Sequence, residues 1–108
     1  MIYSIDEIRE RIIPIAIRYN LRAVYLFGSY ARGDADDNSD VDLLVDTSGT
    51  NLTSLLSLGA LYCELEEALE KNIDVITVSS LEQESQMPSE ELFKKEVISE
   101  RVSLYAVA

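Results

Sequence analysis

Histidine is absent from the 108 residues. That removes Ser-His-Asp and Cys-His nucleophilic catalysis and every histidine-ligated zinc site. Cys63 is the only cysteine, so the chain can form neither an internal disulfide nor a cysteine-rich metal centre. Basic residues are scarce: 9 Lys plus Arg stand against 20 Asp plus Glu, a formal charge of -11. So acidic a chain is a poor non-specific nucleic-acid binder, because phosphate binding needs a basic face. No apolar run approaches the ~18 residues needed to span a bilayer. The start, Met1-Ile2-Tyr3-Ser4-Ile5-Asp6-Glu7, is acidic and lacks the basic opening of a signal peptide. These absences lead to the expectation of a cytoplasmic protein that touches no membrane and binds no nucleic acid directly. What remains for chemistry is carboxylates, hydroxyls, backbone amides and any metal they hold.

The length suits one domain over residues 1–108, since two independent cores would not fit. With 47% hydrophobic and 27% charged residues the mix is that of a globular chain. Ser4-x-x-Glu7 is a capping-box pattern, and Ile5, Ile8, Ile12 and Ile15 follow at helical spacing. They predict an amphipathic helix over 5–19, bent at Pro14. Ala23–Phe27 reads as a buried strand ended by Gly28, Asp40–Val45 as a second strand, and Ile73–Val78 as a third. Between the last two, Leu52–Leu69 reads as a helix with Leu55, Leu58, Leu65 and Leu69 inward, ended by Lys71-Asn72 with Asn72 suited to a C-cap. Residues 79–88 read as a loop, Ser89 to about Ser99 as a last helix, and Val102, Leu104 and Ala106 as one face of a short terminal strand. The order favours an α/β (α+β) sheet domain.

Chemistry concentrates in Phe27-Gly28-Ser29-Tyr30-Ala31-Arg32-Gly33, the polar turn 34–39, and Asp40-Val41-Asp42-Leu43-Leu44-Val45. Side chains alternate along a strand, so Val41, Leu43 and Val45 point into the core while Asp40 and Asp42 point the other way together. Two carboxylates a few ångströms apart repel by roughly 3 kcal/mol at an effective dielectric of about 20, and a hard divalent cation such as Mg²⁺ or Mn²⁺ would relieve that. A strand with a solvated acidic face would show the same pattern. Asp74 opens the third strand. As an edge charge it would discourage aggregation. If the strands are neighbours, it brings a third carboxylate to the spot, the ligand set of a two-metal phosphoryl-transfer site.

Gly28-Ser29 leads from a strand into a helix. Glycine lets a phosphate approach the backbone and the serine hydroxyl can donate to it. An ordinary strand-to-helix turn with Ser29 as N-cap explains the pair as well. Arg32 could meet a phosphate, or pair with Asp34 or Asp36. Gly28-x-x-x-x-Gly33 has the glycine spacing of a P-loop, but Asp34-Ala35 stands where Lys-Ser/Thr is required. Asp34-x-Asp36-x-Asn38 opens like an EF-hand loop, but Ser39 and Val45 occupy its glycine and glutamate positions. Tyr30 could stack on a base, though packing against the sheet suits it better; Cys63 reads as core.

These residues resemble a known family. Gly28-Ser29-Tyr30-Ala31-Arg32-Gly33 followed by Ser39-Asp40-Val41-Asp42-Leu43-Leu44-Val45, with Asp74 in an I-D-V-I strand, resembles the signature of the minimal nucleotidyltransferases of the DNA polymerase β-like superfamily. The resemblance implies a small mixed sheet flanked by helices, the polymerase β-like palm fold. It implies ATP bound at Gly28, Ser29 and Arg32, and two Mg²⁺ ions held by Asp40 and Asp42. Asp74 would help hold the catalytic metal and orient or deprotonate the attacking hydroxyl. Stand-alone proteins of this size resemble MntA-type antitoxins, which imply transfer of AMP from ATP to a tyrosine of a HEPN-domain RNase toxin (HepT-like) in a hetero-oligomer. Two alternatives stay open: the same chemistry on a small-molecule hydroxyl, and a non-catalytic module that inhibits its partner by occlusion.

Overall fold

A computed structural model describes residues 2–50, 52, 54–82 and 88–107. The chain runs α1 (Ile5–Arg18), β1 (Ala23–Phe27), α2 (Gly28–Arg32), β2 (Val41–Asp46), α3 (Leu55–Leu69), β3 (Ile73–Thr77), α4 (Val78–Leu81), α5 (Pro88–Glu100) and β4 (Val102–Ala106). The strands form one mixed sheet in the order β3-β2-β1-β4. β1 is antiparallel to both β2 and β4, whereas β2 and β3 are parallel, joined by the crossover helix α3.

Local chemistry explains most boundaries. Ser4 and Glu7 form the reciprocal capping box at the start of α1. The helix runs on through Pro14, and Ile8, Ile12 and Ile15 are buried along it. Helix α3 starts later than its leucines imply, because Ser54 caps it by accepting from the Ser57 amide. Leu55 is therefore 90% exposed instead of inward, Leu58 is partly exposed, and Leu61 joins Leu65 and Leu69 in the core. The helix ends at Glu70, which adopts the left-handed C-cap conformation (φ 53°) expected of Asn72. Asn72 instead offers its carbonyl to the Val41 amide at 3.1 Å and seats the start of β2. Part of the expected loop 79–88 is the single turn α4, and residues 83–87 lie outside the described residues.

The sheet has two unequal faces. Val24, Leu26, Val41, Leu43 and Val45 pack with α1 and α3 in the main core, which also buries Tyr30. On the opposite face Phe27 and Leu44 form a small cluster with Val97 of α5. Cys63 is exposed on α3, a correction to its expected place in the core: it lies on the solvent side of the helix, between the buried turns of Leu61 and Leu65. Among the described residues no helix is long and apolar enough to cross a membrane.

Candidate active site

The β-register decides which carboxylates meet. Asp42 sits opposite Asp74 on β3 and opposite Phe27 on β1, so all three belong to the minor face. Burial and the Asp74 carboxylate, with a hydrogen bond between the two carboxyls and a smaller push from Asp40, raise the Asp42 pKa to about 6; Arg32 opposes the rise. Asp40 precedes β2 instead of opening it, is exposed, and borders a neighbouring depression beside Glu66, Glu67 and Lys71. The expected convergence of three carboxylates is thus a close pair, with Asp40 lining the neighbouring depression and acting on Asp42 by its charge.

Gly28 takes a left-handed conformation (φ 76°), and a Cβ there would lie 2.1 Å from Asp42 Oδ2. Its lack of a side chain is what lets the carboxylate lie against the turn, a purpose that sequence reading assigned only to phosphate approach. Ser29 does not cap α2: the N-cap is Phe27, which makes no side-chain cap bond. Ser29 instead lines a cavity of about 440 Å³ with Gly28, Arg32, Asp42 and Asp74. Arg32 reaches Asp34 and Glu100, both at 3.2 Å, and these partners raise its pKa. Pairing with Asp34 matches one of the expected alternatives; Glu100 comes from α5.

Supporting contacts fix the strands. The Tyr62 hydroxyl of α3 donates to the Ile73 carbonyl at 2.8 Å, next to Asp74. Burial, then Glu66, Asp74 and Asp40, push that phenol above its ordinary pKa. The far wall of the cavity is α5, through Phe93, Glu96, Val97 and Glu100. Sequence reading singled out none of these. Their spacing puts them on one helical face, but nothing local says what that face meets.

The magnesium that the resemblance implies sets a demand on the donor set. Among the described residues no three acidic or cysteine side chains form a complete ion cage. Magnesium asks for less: one or two protein carboxylates plus substrate phosphates. Asp42 and Asp74 provide two oxygen donors whose mutual repulsion a cation would relieve, so the residues fit the ion.

Comparison with known proteins bears on the family. Residues 10–106 match the family described as Polymerase beta, Nucleotidyltransferase. The protein adenylyltransferase MntA of Thermococcus cleftensis is 42% identical over 79 residues, 69% of this chain and 67% of that one. A Methanocaldococcus jannaschii protein, MJ0435, whose name assigns protein adenylyltransferase activity provisionally, is 42% identical over 78 residues, 72% of this chain and 82% of its own. Among solved structures, a toxin-antitoxin crystal structure with AMP-PNP superposes with a TM-score of 0.69 at 25% identity, covering 92% of this chain and 73% of that one.

Proposed function

The chain belongs to the polymerase beta nucleotidyltransferase family, and we propose that it transfers AMP from ATP to a tyrosine hydroxyl of a HEPN-domain toxin and so acts as its antitoxin. The observation that carries this reading is Asp42, paired across the strands with Asp74 and lying against the Gly28 turn, in the lining of a nucleotide-sized cavity. Similarity to protein adenylyltransferases and to a toxin-antitoxin structure with AMP-PNP supports the substrate and the partner class.

Asp42 and Asp74, with the charge of Asp40 nearby, would hold magnesium. When bound, the ion supplies neutralisation of the charge on the α-phosphate and the departing pyrophosphate. The chain's own residues do the rest. The Ser29 hydroxyl and the backbone at Gly28 bind phosphate oxygens. Arg32 turns from Asp34 and Glu100 to the phosphates, exchanging carboxylates for stronger anions. Asp74 orients the attacking hydroxyl and accepts its proton. The hydroxyl oxygen forms a bond to the α-phosphorus, the bond to the bridging oxygen of the β-phosphate breaks, and pyrophosphate leaves with that electron pair.

The test is incubation with labelled ATP, magnesium and the HEPN partner. Label on a partner tyrosine, lost with Asp42→Asn while the complex still forms, is the expected result. Partner neutralisation that survives Asp42→Asn would overturn transfer in favour of occlusion.

A further inference from the structure

One helix of the cavity meets the phosphate chemistry only at its C-terminal end, where Glu100 holds Arg32. Helix α5 presents Phe93, Glu96, Val97 and Glu100 to the site, at positions i, i+3, i+4 and i+7. The stripe is graded. Its C-terminal end, Glu100, touches Arg32. Seven residues back, about 10 Å along the axis, stands Phe93. That distance separates a charged end from an aromatic one, as a nucleoside triphosphate separates its phosphates from its base.

Phe93 is 46% exposed although it lines a cavity. Its contact with Phe27 is nearly perpendicular, 81° at 6.3 Å between centroids, which fixes the ring without stacking on it. A flat ligand can therefore stack there. The wall beside it is apolar, made of Val97 and Ile76. Glu96, one turn along, is an acceptor without a donor of its own when ionised. It matches the exocyclic amine of adenine and opposes the carbonyl oxygen that guanine carries at the same ring position.

We infer that α5 is the base-reading wall of the site: Phe93 stacks on the base and Glu96 accepts a hydrogen bond from the 6-amino group of adenine. The inference rests on the nucleotidyltransferase reading above and adds to it the residues that choose the nucleotide.

The experiment compares magnesium-dependent binding of ATP, GTP and inorganic tripolyphosphate by calorimetry. The full chain and its Phe93→Ala, Phe93→Tyr and Glu96→Gln variants are titrated. Phe93→Ala should weaken ATP about tenfold, the scale of one base–aromatic stack, and leave tripolyphosphate unchanged. Phe93→Tyr keeps a ring and should restore ATP binding, which a fold defect would not permit. Glu96→Gln, whose amide can also donate to a carbonyl, should cut the ATP-over-GTP preference about fivefold. Equal loss of ATP and tripolyphosphate in Phe93→Ala, or no loss of either, overturns the inference while the nucleotidyltransferase reading stands. So does a wild-type chain that holds tripolyphosphate as tightly as ATP. A wild-type chain that binds none of the three probes overturns both.

Discussion

The two faces of the sheet are built to different standards. One is covered by α1 and α3 and buries a continuous set of aliphatic side chains, among them Ile8, Ile12, Leu43, Leu61 and Leu65. The other is covered by α5, which contributes Val97 to a cluster with Phe27 and Leu44. On that thin face the ladder carries Asp42 beside Asp74 in place of an apolar pair. The packed face supplies the stability that the other forgoes. Like-charged carboxylates held together in the folded state cost free energy, which the cation of the proposed site would relieve.

The largest effect expected falls on the thin face. Asp42→Asn should lower AMP transfer by roughly a thousandfold, measured as labelled partner per unit time, because a charge facing the reacting phosphate is lost. Gly28→Ala should do the same by another route, since its Cβ would displace the Asp42 carboxylate. Full transfer by Gly28→Ala would break the claim that the turn and the carboxylate form one site.

Next comes the packed face. Leu65→Ala should cost roughly 3 kcal/mol in urea unfolding, and Val97→Ala no more than roughly 1.5 kcal/mol. Equal costs would erase the contrast between the faces.

A smaller effect concerns pH. The folded-state pKa of Asp42 is raised to about 6 from an ordinary 3.8. Its stabilising contribution is therefore complete below the unfolded value and is lost as pH rises through the folded one. In EDTA, Asp42→Asn should match the wild type near pH 4. It should become more stable across pH 4 to 6, by about 1 kcal/mol once solvent screening is discounted. A constant difference over that range would contradict the cause assigned to the shift. The smallest change should be at Glu100. Glu100→Gln removes one of the carboxylates that hold Arg32, and ATP should bind about threefold tighter, as read by calorimetry. Weaker binding would show that Glu100 orients Arg32 rather than competing with the phosphates.

The same contrast separates what could be read in the sequence from what could not. Strands β1, β2 and β3 are short apolar runs between turn residues, and their cores follow from alternation, so Val41, Leu43 and Val45 went inward as expected. The Asp42–Asp74 meeting depended on β2 and β3 being neighbours, which a parallel crossover through α3 provides. Leu55 misled because hydrophobicity alone does not locate a helix start; the Ser54–Ser57 cap does. Asp40 lies just before β2, exposed and lining the neighbouring depression, because the ladder that pairs Asp42 with Asp74 starts one residue after it. The α5 wall was not legible at all, since Phe93 and Glu96 gain meaning only from the sheet face they meet.

One measurement bears most directly on the central claim that the Asp42–Asp74 pair is a site held in readiness for metal-bound nucleotide. It is the melting temperature of the wild type and of Asp42→Asn, side by side at pH 8, without ligand and with saturating magnesium and ATP. Without ligand the variant should melt higher, because the repulsion is gone. With ligand the wild type should rise by several degrees through mass action and overtake it. An equal rise in both proteins, or a variant that already melts lower without ligand, would contradict the account.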